Sequence, residues 1–328
     1  MTVGLYGLDL PVPGAVTLDP AAAVALDADG VSWGGVRLER LDAILVHGFR
    51  YEDPVLPPAD PVCDWSLWQV GAVIRQQSHS FLYSVWSRLE RIGGPRLYNP
   101  VSTELAAFDR LGQLDRLGRA GYAVPALLLG NDDAAAAAFQ RRHDGDDGNG
   151  GVVWRPATGR AAWQLFRDKQ RRALVAVDKP PVLLAAITPG RLLRAYVLDG
   201  RVALTLAMAP PEREGLERLE AMAAVSDLPA ERLETIGRAV AGLGIRWAVA
   251  LVVDGEGGPV FYDIDPDPEP DDLPPVFAGF LKRCLAAALT GAPVPAADFG
   301  PEPAERPALL LRRMLAIQFD MEATKSAE

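Results

Sequence analysis

Asp263 and Asp265 are the residues of this 328-residue chain whose type and spacing point most directly to chemistry. They close an apolar run that begins at Val260, and side chains two positions apart on a strand leave by the same face. Two carboxylates on one face repel each other unless a positive group lies between them. A hard cation such as Mg2+, which binds oxygen ligands alongside phosphate, is the usual group. The pattern predicts a metal site, with a solvated acidic loop as the alternative.

The stretch 243–272 has to form the element that positions these two carboxylates. An apolar run from Trp247 to Val253 is followed by a turn rich in Asp and Gly, and then by the run that leads to Ile264. Apolar runs on either side of Asp-Gly and Gly-Gly sequences are typical of a β-hairpin. We therefore expect two antiparallel strands, the second of which delivers the aspartates into a proline-punctuated acidic loop.

Composition and charge limit the class of protein. Hydrophobic residues make up 49% and charged residues 23% of the chain, which are globular values. A net charge of −10 argues against a nucleic-acid backbone or an anionic membrane as the main partner. No apolar run approaches the roughly 18–20 residues that span a bilayer, and no basic secretory signal opens the sequence. The two cysteines, Cys63 and Cys284, lie far apart in the sequence and indicate no disulfide framework, which is typical of proteins in a reduced cytoplasm. We expect a cytoplasmic globular protein.

The order of predicted elements divides the chain into four parts. Short apolar runs up to Leu8 and at 41–46 predict strands of a small α/β sheet, followed by a helix over 64–92. A second helix is expected to begin near Ser102 and to end at Gly121. The final part is rich in Pro and Ala and ends in an amphipathic helix that could dock on the chain itself or on a partner, including another copy. The predicted parts are 1–94, 95–186, 187–290 and 291–328.

Four segments in order carry a resemblance to a known family. They are Asn99-Pro100 with the helix and the AGYAVP sequence that follow, VVWRPATG from Val152, ITPGRLLRAYVLDGRVALTLAM from Ile187, and VFYDIDPDP from Val260. In this order they resemble the ATP-grasp superfamily over roughly residues 38–290. Within it, the chain is most similar to ribosomal-protein glutamate ligases and related peptide-modifying ligases.

The resemblance implies a fold and an activity. The fold would be α/β (α+β), with an N-terminal pre-ATP-grasp α/β domain, a small lid subdomain and a C-terminal antiparallel-sheet subdomain. The activity would be ATP-dependent carboxylate–amine ligation through an acyl-phosphate, with ATP and Mg2+ as cofactors. The partner would be a small-molecule or peptide carboxylate, or a precursor peptide.

The resemblance also assigns site residues. Arg110 and Arg155 stand where the family has two phosphate-binding lysines, and Gly159 is what remains of its glycine-rich phosphate loop. Arg194 matches the arginine that stabilises the acyl-phosphate, so that Arg194 and Arg155 would be catalytic. Asp263 and Asp265 replace the family's metal-binding Glu and Asn. In the alternative reading, these three arginines are ion-paired or solvated, and Arg194 is a structural partner of the two aspartates.

Departures from the family pattern support a second hypothesis. Trp163 lies in the glycine-rich loop, where backbone amides should approach phosphate closely. The segment 183–187, at the adenine-binding linker, is apolar, and Ala250 stands at the first metal-binding Asp. These changes suggest a catalytically degenerate ATP-grasp protein that acts as a binding or scaffolding partner. A third reading, an unrelated α/β sugar- or nucleotide-binding module, explains the hairpins but not the four ordered segments.

Overall fold

The computed structural model describes eleven stretches of the chain, and they belong to two compact units. The first unit is Met1–Leu105 with Ala286–Ala292, and the second is Ala106–Leu285 with Pro293–Glu328. Gly159, Cys63 and the expected C-terminal helix lie outside the described residues, and the four-part division stays a prediction. The described residues are 3–6, 10, 12–19, 22–47, 65–92, 96–106, 109–144, 151–157, 163–167, 181–208 and 223–299.

The first unit contains a parallel sheet and a smaller antiparallel sheet. In the parallel sheet the strand order is β2-β1-β6-β7, and in the antiparallel sheet it is β3-β4-β5. Trp33 and Trp86 stack in the core with ring centroids 5.4 Å apart, and both are fully buried. The expected small α/β sheet and long helix are confirmed. The elements are β1 Val3–Tyr6, β2 Val16–Thr17, β3 Val24–Asp27, β4 Gly30–Trp33, β5 Val36–Arg37, β6 Ala43–Val46, helix α1 Trp65–Ile92, β7 Arg96–Tyr98 and helix α2 Val101–Ala106.

The second unit contains two antiparallel sheets, which we call the small sheet and the large sheet. The small sheet has the order β10-β9-β11-β8 and the large sheet has the order β14-β13-β12-β15-β16. The small sheet consists of β8 Leu127–Gly130, β9 Val152–Pro156, β10 Gln164–Leu165 and β11 Val182–Ala186, and the large sheet of β12 Arg191–Leu198, β13 Arg201–Ala207, β14 Ala223–Ala224, β15 Trp247–Gly255 and β16 Gly258–Asp265. The helices are α3 Arg110–Arg119, α4 Asp133–His143, α5 Ala230–Gly242 and α6 Pro275–Thr290, of which the residues from Ala286 onward are counted with the first unit. The expected hairpin is confirmed as β15 and β16.

The helix expected from Ser102 to Gly121 is instead two helices, α2 and α3. The Asp109 side chain accepts a hydrogen bond from the Gly112 amide at 2.9 Å and caps the second helix. A capping Asp satisfies a backbone amide that has no partner inside the helix, so it favours a new helix start at that point. Arg110 consequently lies in the first turn of α3 rather than in the middle of a continuous helix.

The large sheet is covered differently on its two faces. One face packs on α3 and α5 in a core that includes Ala250, Phe261 and Ile264. The other face meets the small sheet in an apolar cluster that includes Trp163 and Tyr262, and we call this second contact the intersheet cluster. Among the helices that the structure describes, none is long and apolar enough to cross a membrane.

Candidate functional site

The register of the β15–β16 hairpin decides which face each residue occupies. Asp263 lies opposite Leu251, Asp265 lies opposite Val249, and Ala250 lies opposite Ile264. Because Ala250 is fully buried against α3 and α5, it belongs to the face of the sheet away from the carboxylates. Ala250 therefore does not take the place of a metal ligand beside Asp263. On the carboxylate face, the residues of β15 that lie directly opposite Asp265 and Asp263 are the apolar Val249 and Leu251.

The Asp263 carboxylate is shared between two arginines. Its Oδ1 lies 2.9 Å from Arg110 Nη1, and its Oδ2 accepts a hydrogen bond from Arg155 Nη1 at 2.7 Å. The side chains of Arg110 and Arg155 are only 4% and 2% exposed, so this is a buried ion-pair network rather than a surface contact. Breaking such a network by removing one partner leaves an uncompensated charge inside the protein.

Arg110 is the positive group that lies beside both aspartates. Besides its contact with Asp263, it donates to the main-chain carbonyl of Ile264, and its Nη2 is 4.0 Å from Asp265 Oδ1. The Asp265 carboxylate also accepts a hydrogen bond from its own loop, because the Asp267 amide donates to Asp265 Oδ1 at 3.2 Å. The repulsion expected between the two carboxylates is thus relieved by a guanidinium that the start of α3 supplies.

A Mg2+ ion between Asp263 and Asp265 does not fit this arrangement. Mg2+ needs an octahedral set of oxygen ligands at about 2.0–2.1 Å, and both oxygens of Asp263 already face guanidinium nitrogens. Within the part of the chain that the structure describes, no cluster of three or more His, Cys, Asp or Glu side chains could hold a metal. The ATP and Mg2+ expected from the resemblance remain predictions.

The intersheet cluster closes over the same carboxylate. The pairing register shifts between Leu251 and Val252, which makes Tyr262 the extra residue of a β-bulge on β16. The Tyr262 side chain therefore lies on the same face of the large sheet as Asp263. The Trp163 ring lies 5.6 Å from the Arg155 guanidinium carbon and meets the Tyr262 ring edge-on at 6.0 Å. Trp163, at 7% exposure, is therefore a packed core residue where the resemblance expects a flexible phosphate loop.

The Tyr262 hydroxyl ties β16 to the segment that follows β11. It donates to the Ala186 carbonyl at 2.7 Å and accepts from the Thr188 amide at 2.8 Å, and the hydroxyl oxygens of Tyr262 and Thr188 are 3.0 Å apart. Burial raises the pKa of the Tyr262 phenol, and the hydrogen bonds with Thr188 offset part of that rise. Most of the segment 183–187 belongs to β11, whose backbone pairs with β8 and β9 on either side. The backbone groups that meet Tyr262 therefore lie at the end of this strand and just after it.

Arg194 is placed differently from the other two arginines. It lies in the same cross-strand row as Leu251 and Asp263, so its side chain leaves by the carboxylate face of the large sheet. Its guanidinium carbon is 5.8 Å from the Tyr196 ring centroid, and the side chain is half-buried. Over the described stretches of the chain, Arg194 forms no ion pair with either aspartate. The structure thus brings together Arg110, Arg155, Asp263 and Asp265.

Sequence reasoning missed Tyr262, which is central to this site. An alternating pattern assigns residues 261, 262 and 263 to alternate faces, whereas the bulge places Tyr262 and Asp263 on one face. A tyrosine immediately before the acidic pair was the one available signal, since a buried phenol needs a hydrogen-bonding partner. The sequence shows that a bulky Trp163 does not suit a glycine-rich phosphate loop, but it does not show that this side chain packs on Arg155.

Comparison with known proteins identifies the fold. No family model matches the sequence, and no curated protein matches it. Among solved structures, the ATP-grasp ligase PsnB complexed with a minimal precursor, Mg and ADP has a TM-score of 0.67 at 20% identity, over 88% of this chain and 96% of that one. The macrocyclase MdnC bound with precursor peptide MdnA from Microcystis aeruginosa MRC has a TM-score of 0.68 at 15% identity, over 89% and 100%. A RimK domain ATP-grasp protein from Sphaerobacter thermophilus DSM 20745 has a TM-score of 0.53 at 18% identity, over 89% and 98%. This chain therefore has the ATP-grasp fold, in an α+β arrangement that it shares with these solved structures.

Proposed function

We propose that this chain is a peptide-binding protein of the ATP-grasp fold that carries out no ATP-dependent ligation. One observation carries the proposal: Arg110 and Arg155, which the resemblance assigns to nucleotide phosphates, are buried and both pair with Asp263. The cations that would hold the transferring phosphoryl group are already neutralised by the residue that would hold its metal.

The free-energy cost of opening this network supports the same conclusion. To receive phosphates, the two arginines would have to turn away from Asp263, and the phosphates would then bring further negative charge beside that carboxylate. A buried charge that loses its partner costs about 3–5 kcal/mol, unless another group replaces the partner. In the family a metal ion supplies that replacement, but the facing strand contributes Val249 and Leu251 rather than a further oxygen ligand.

A peptide is the proposed ligand because of Arg194 and the similar structures. PsnB and MdnC were each solved with a precursor peptide. In this chain, Arg194 presents a half-buried guanidinium on the carboxylate face of the large sheet, with Asp263 already paired to other arginines. A guanidinium in this position suits two-point binding of a carboxylate, either a side chain or a C-terminus. The cytoplasmic location and the possibility of a homo-oligomer stay predictions of the sequence.

Two measurements test the proposal. Short peptides encoded beside the gene for this chain would be synthesised, labelled with a fluorophore and titrated with the full chain while anisotropy is recorded. We expect one of them to bind, and Arg194→Ala to weaken it at least tenfold. The exposed Arg201→Ala is the matched control, because Arg201 lies on the same sheet and carries the same charge. Equal binding by both variants would contradict the role of Arg194.

The second measurement is ADP release with ATP, Mg2+ and the same peptides. The proposal predicts release at the rate of a sample without protein. The retained Arg194 favours the other candidate, an ATP-dependent carboxylate–amine ligase, because a ligase needs a free cation for its acyl-phosphate. Peptide-dependent ADP release that Arg155→Ala abolishes would establish that candidate and overturn the proposal.

A further inference from the structure

The backbone of residues 186–188 presents an acceptor and a donor to which the edge of a planar heterocyclic ring could form hydrogen bonds. The carbonyl of Ala186, the last residue of β11, accepts a hydrogen bond, and the amide of Thr188, two residues later in the connection to β12, donates one. A ligand with a donor next to an acceptor on one edge satisfies both groups at once. The edge of adenine formed by its 6-amino group and N1 is of this kind.

In this chain, both groups are satisfied by one side chain of the chain itself. The Tyr262 hydroxyl is at once donor and acceptor, at 2.7 Å from the carbonyl and 2.8 Å from the amide. Tyr262 is only 5% exposed, and the Trp163 ring lies perpendicular to the Tyr262 ring with the two ring centroids 6.0 Å apart. We infer that Tyr262 occupies from within the position that an adenine ring would take on Ala186–Thr188, and so excludes a nucleobase from it.

This inference concerns the same site and rests on the proposed function, to which it adds the reason that a nucleoside is not bound. The bulge on β16 is what makes it geometrically possible, because it turns Tyr262 toward the small sheet without removing Phe261 or Ile264 from the core on the other face. A ring at this position and a ligand ring cannot share the space, since protein interiors are close-packed.

The experiment is a calorimetric titration with adenosine, which lacks phosphate and therefore does not depend on the arginines. The full-length wild-type chain, Tyr262→Phe and Tyr262→Ala would be compared. We expect neither wild type nor Tyr262→Phe to bind adenosine at concentrations up to about 10 mM. Tyr262→Phe keeps the ring and loses only the hydroxyl. Tyr262→Ala is expected to bind adenosine with a dissociation constant on the order of millimolar or tighter.

Two results would overturn the inference. One is adenosine binding to wild type as tightly as to Tyr262→Ala. The other is a folded Tyr262→Ala protein that binds p-cresol, which replaces the deleted ring, but not adenosine. Tyr262→Leu, which keeps an apolar side chain in the cluster, serves as the opened variant if Tyr262→Ala does not fold. ADP release reports on the proposed function separately, because a chain that binds adenosine without consuming ATP contradicts only the inference.

Discussion

Asp263 and Arg155 meet across the two sheets of the second unit, with Oδ2 and Nη1 2.7 Å apart. The aspartate comes from the last strand of the large sheet, and the arginine comes from β9 of the small sheet. Their contact joins the large sheet to the small sheet. The same pair that neutralises the site therefore also contributes to the stability of the unit.

Replacing Asp263 is expected to destabilise the protein strongly. Asp263→Ala leaves Arg110 and Arg155 buried without their shared carboxylate, which costs about 3–5 kcal/mol of unfolding free energy. Urea unfolding of the full chain, followed by circular dichroism, measures the loss. Asp115→Ala is the matched control, because it removes an exposed pair with Arg119 that contributes about 0.3–0.5 kcal/mol. Equal losses for the two variants would show that the buried network has no special weight.

Tyr262 is expected to make stability fall at alkaline pH. An unfolded tyrosine loses its proton near pH 10, whereas burial raises the pKa of Tyr262 in the folded chain. Above about pH 10 the unfolded state therefore binds fewer protons than the folded state, and the free energy of unfolding declines as pH rises through the folded pKa. Tyr262→Phe removes this term.

The measurement is urea unfolding at several values between about pH 9 and pH 11. Wild type should lose more unfolding free energy over this range than Tyr262→Phe. Absorbance at the phenolate band should also show that one tyrosine fewer ionises at unusually high pH in Tyr262→Phe than in wild type. Identical pH profiles for the two proteins would mean that Tyr262 ionises as freely when folded as when unfolded.

Cys284 is expected to be unreactive while the protein is folded. It is fully buried on α6, and burial raises the pKa of its thiol to about 11, so only about a thousandth is thiolate at pH 8. In a Cys63→Ser background, a disulfide reagent should label Cys284 only as fast as the chain unfolds. Complete labelling in denaturant is the control, and rapid labelling under native conditions would place the thiol near solvent.

Gly190 is expected to tolerate no side chain. It adopts φ +146°, and a Cβ there would lie 2.6 Å from the Asp254 carbonyl oxygen, so the start of β12 approaches the hairpin more closely than a side chain allows. Gly190→Ala should lower the unfolding free energy by about 1–3 kcal/mol. Gly257→Ala, where a Cβ meets no atom within 4 Å, should change it by less than about 0.5 kcal/mol. A reversed order would contradict the close approach.

The fold was predictable from sequence where the signal is local. Alternation and Asp-Gly chemistry define both hairpins of the large sheet. The spacing of Asp263 and Asp265 indicates that a positive group is needed beside them, but it predicts a metal ion, whereas the group that lies there is the Arg110 guanidinium. The identity of that group was not predictable, because Arg110 and Arg155 lie more than 100 residues away along the chain. The orientation of Tyr262 also needs the register of two strands, since a one-residue bulge changes the face without changing the local pattern.

Calorimetric titration of the folded full chain with ATP, with and without Mg2+, tests the central claim most directly. The ion pairs of Asp263 with Arg110 and Arg155, together with the buried Tyr262, predict no heat of binding up to millimolar ATP under either condition. Micromolar binding that requires Mg2+ and disappears in Arg155→Ala would contradict the claim, because it would show that the network opens to admit phosphate and metal.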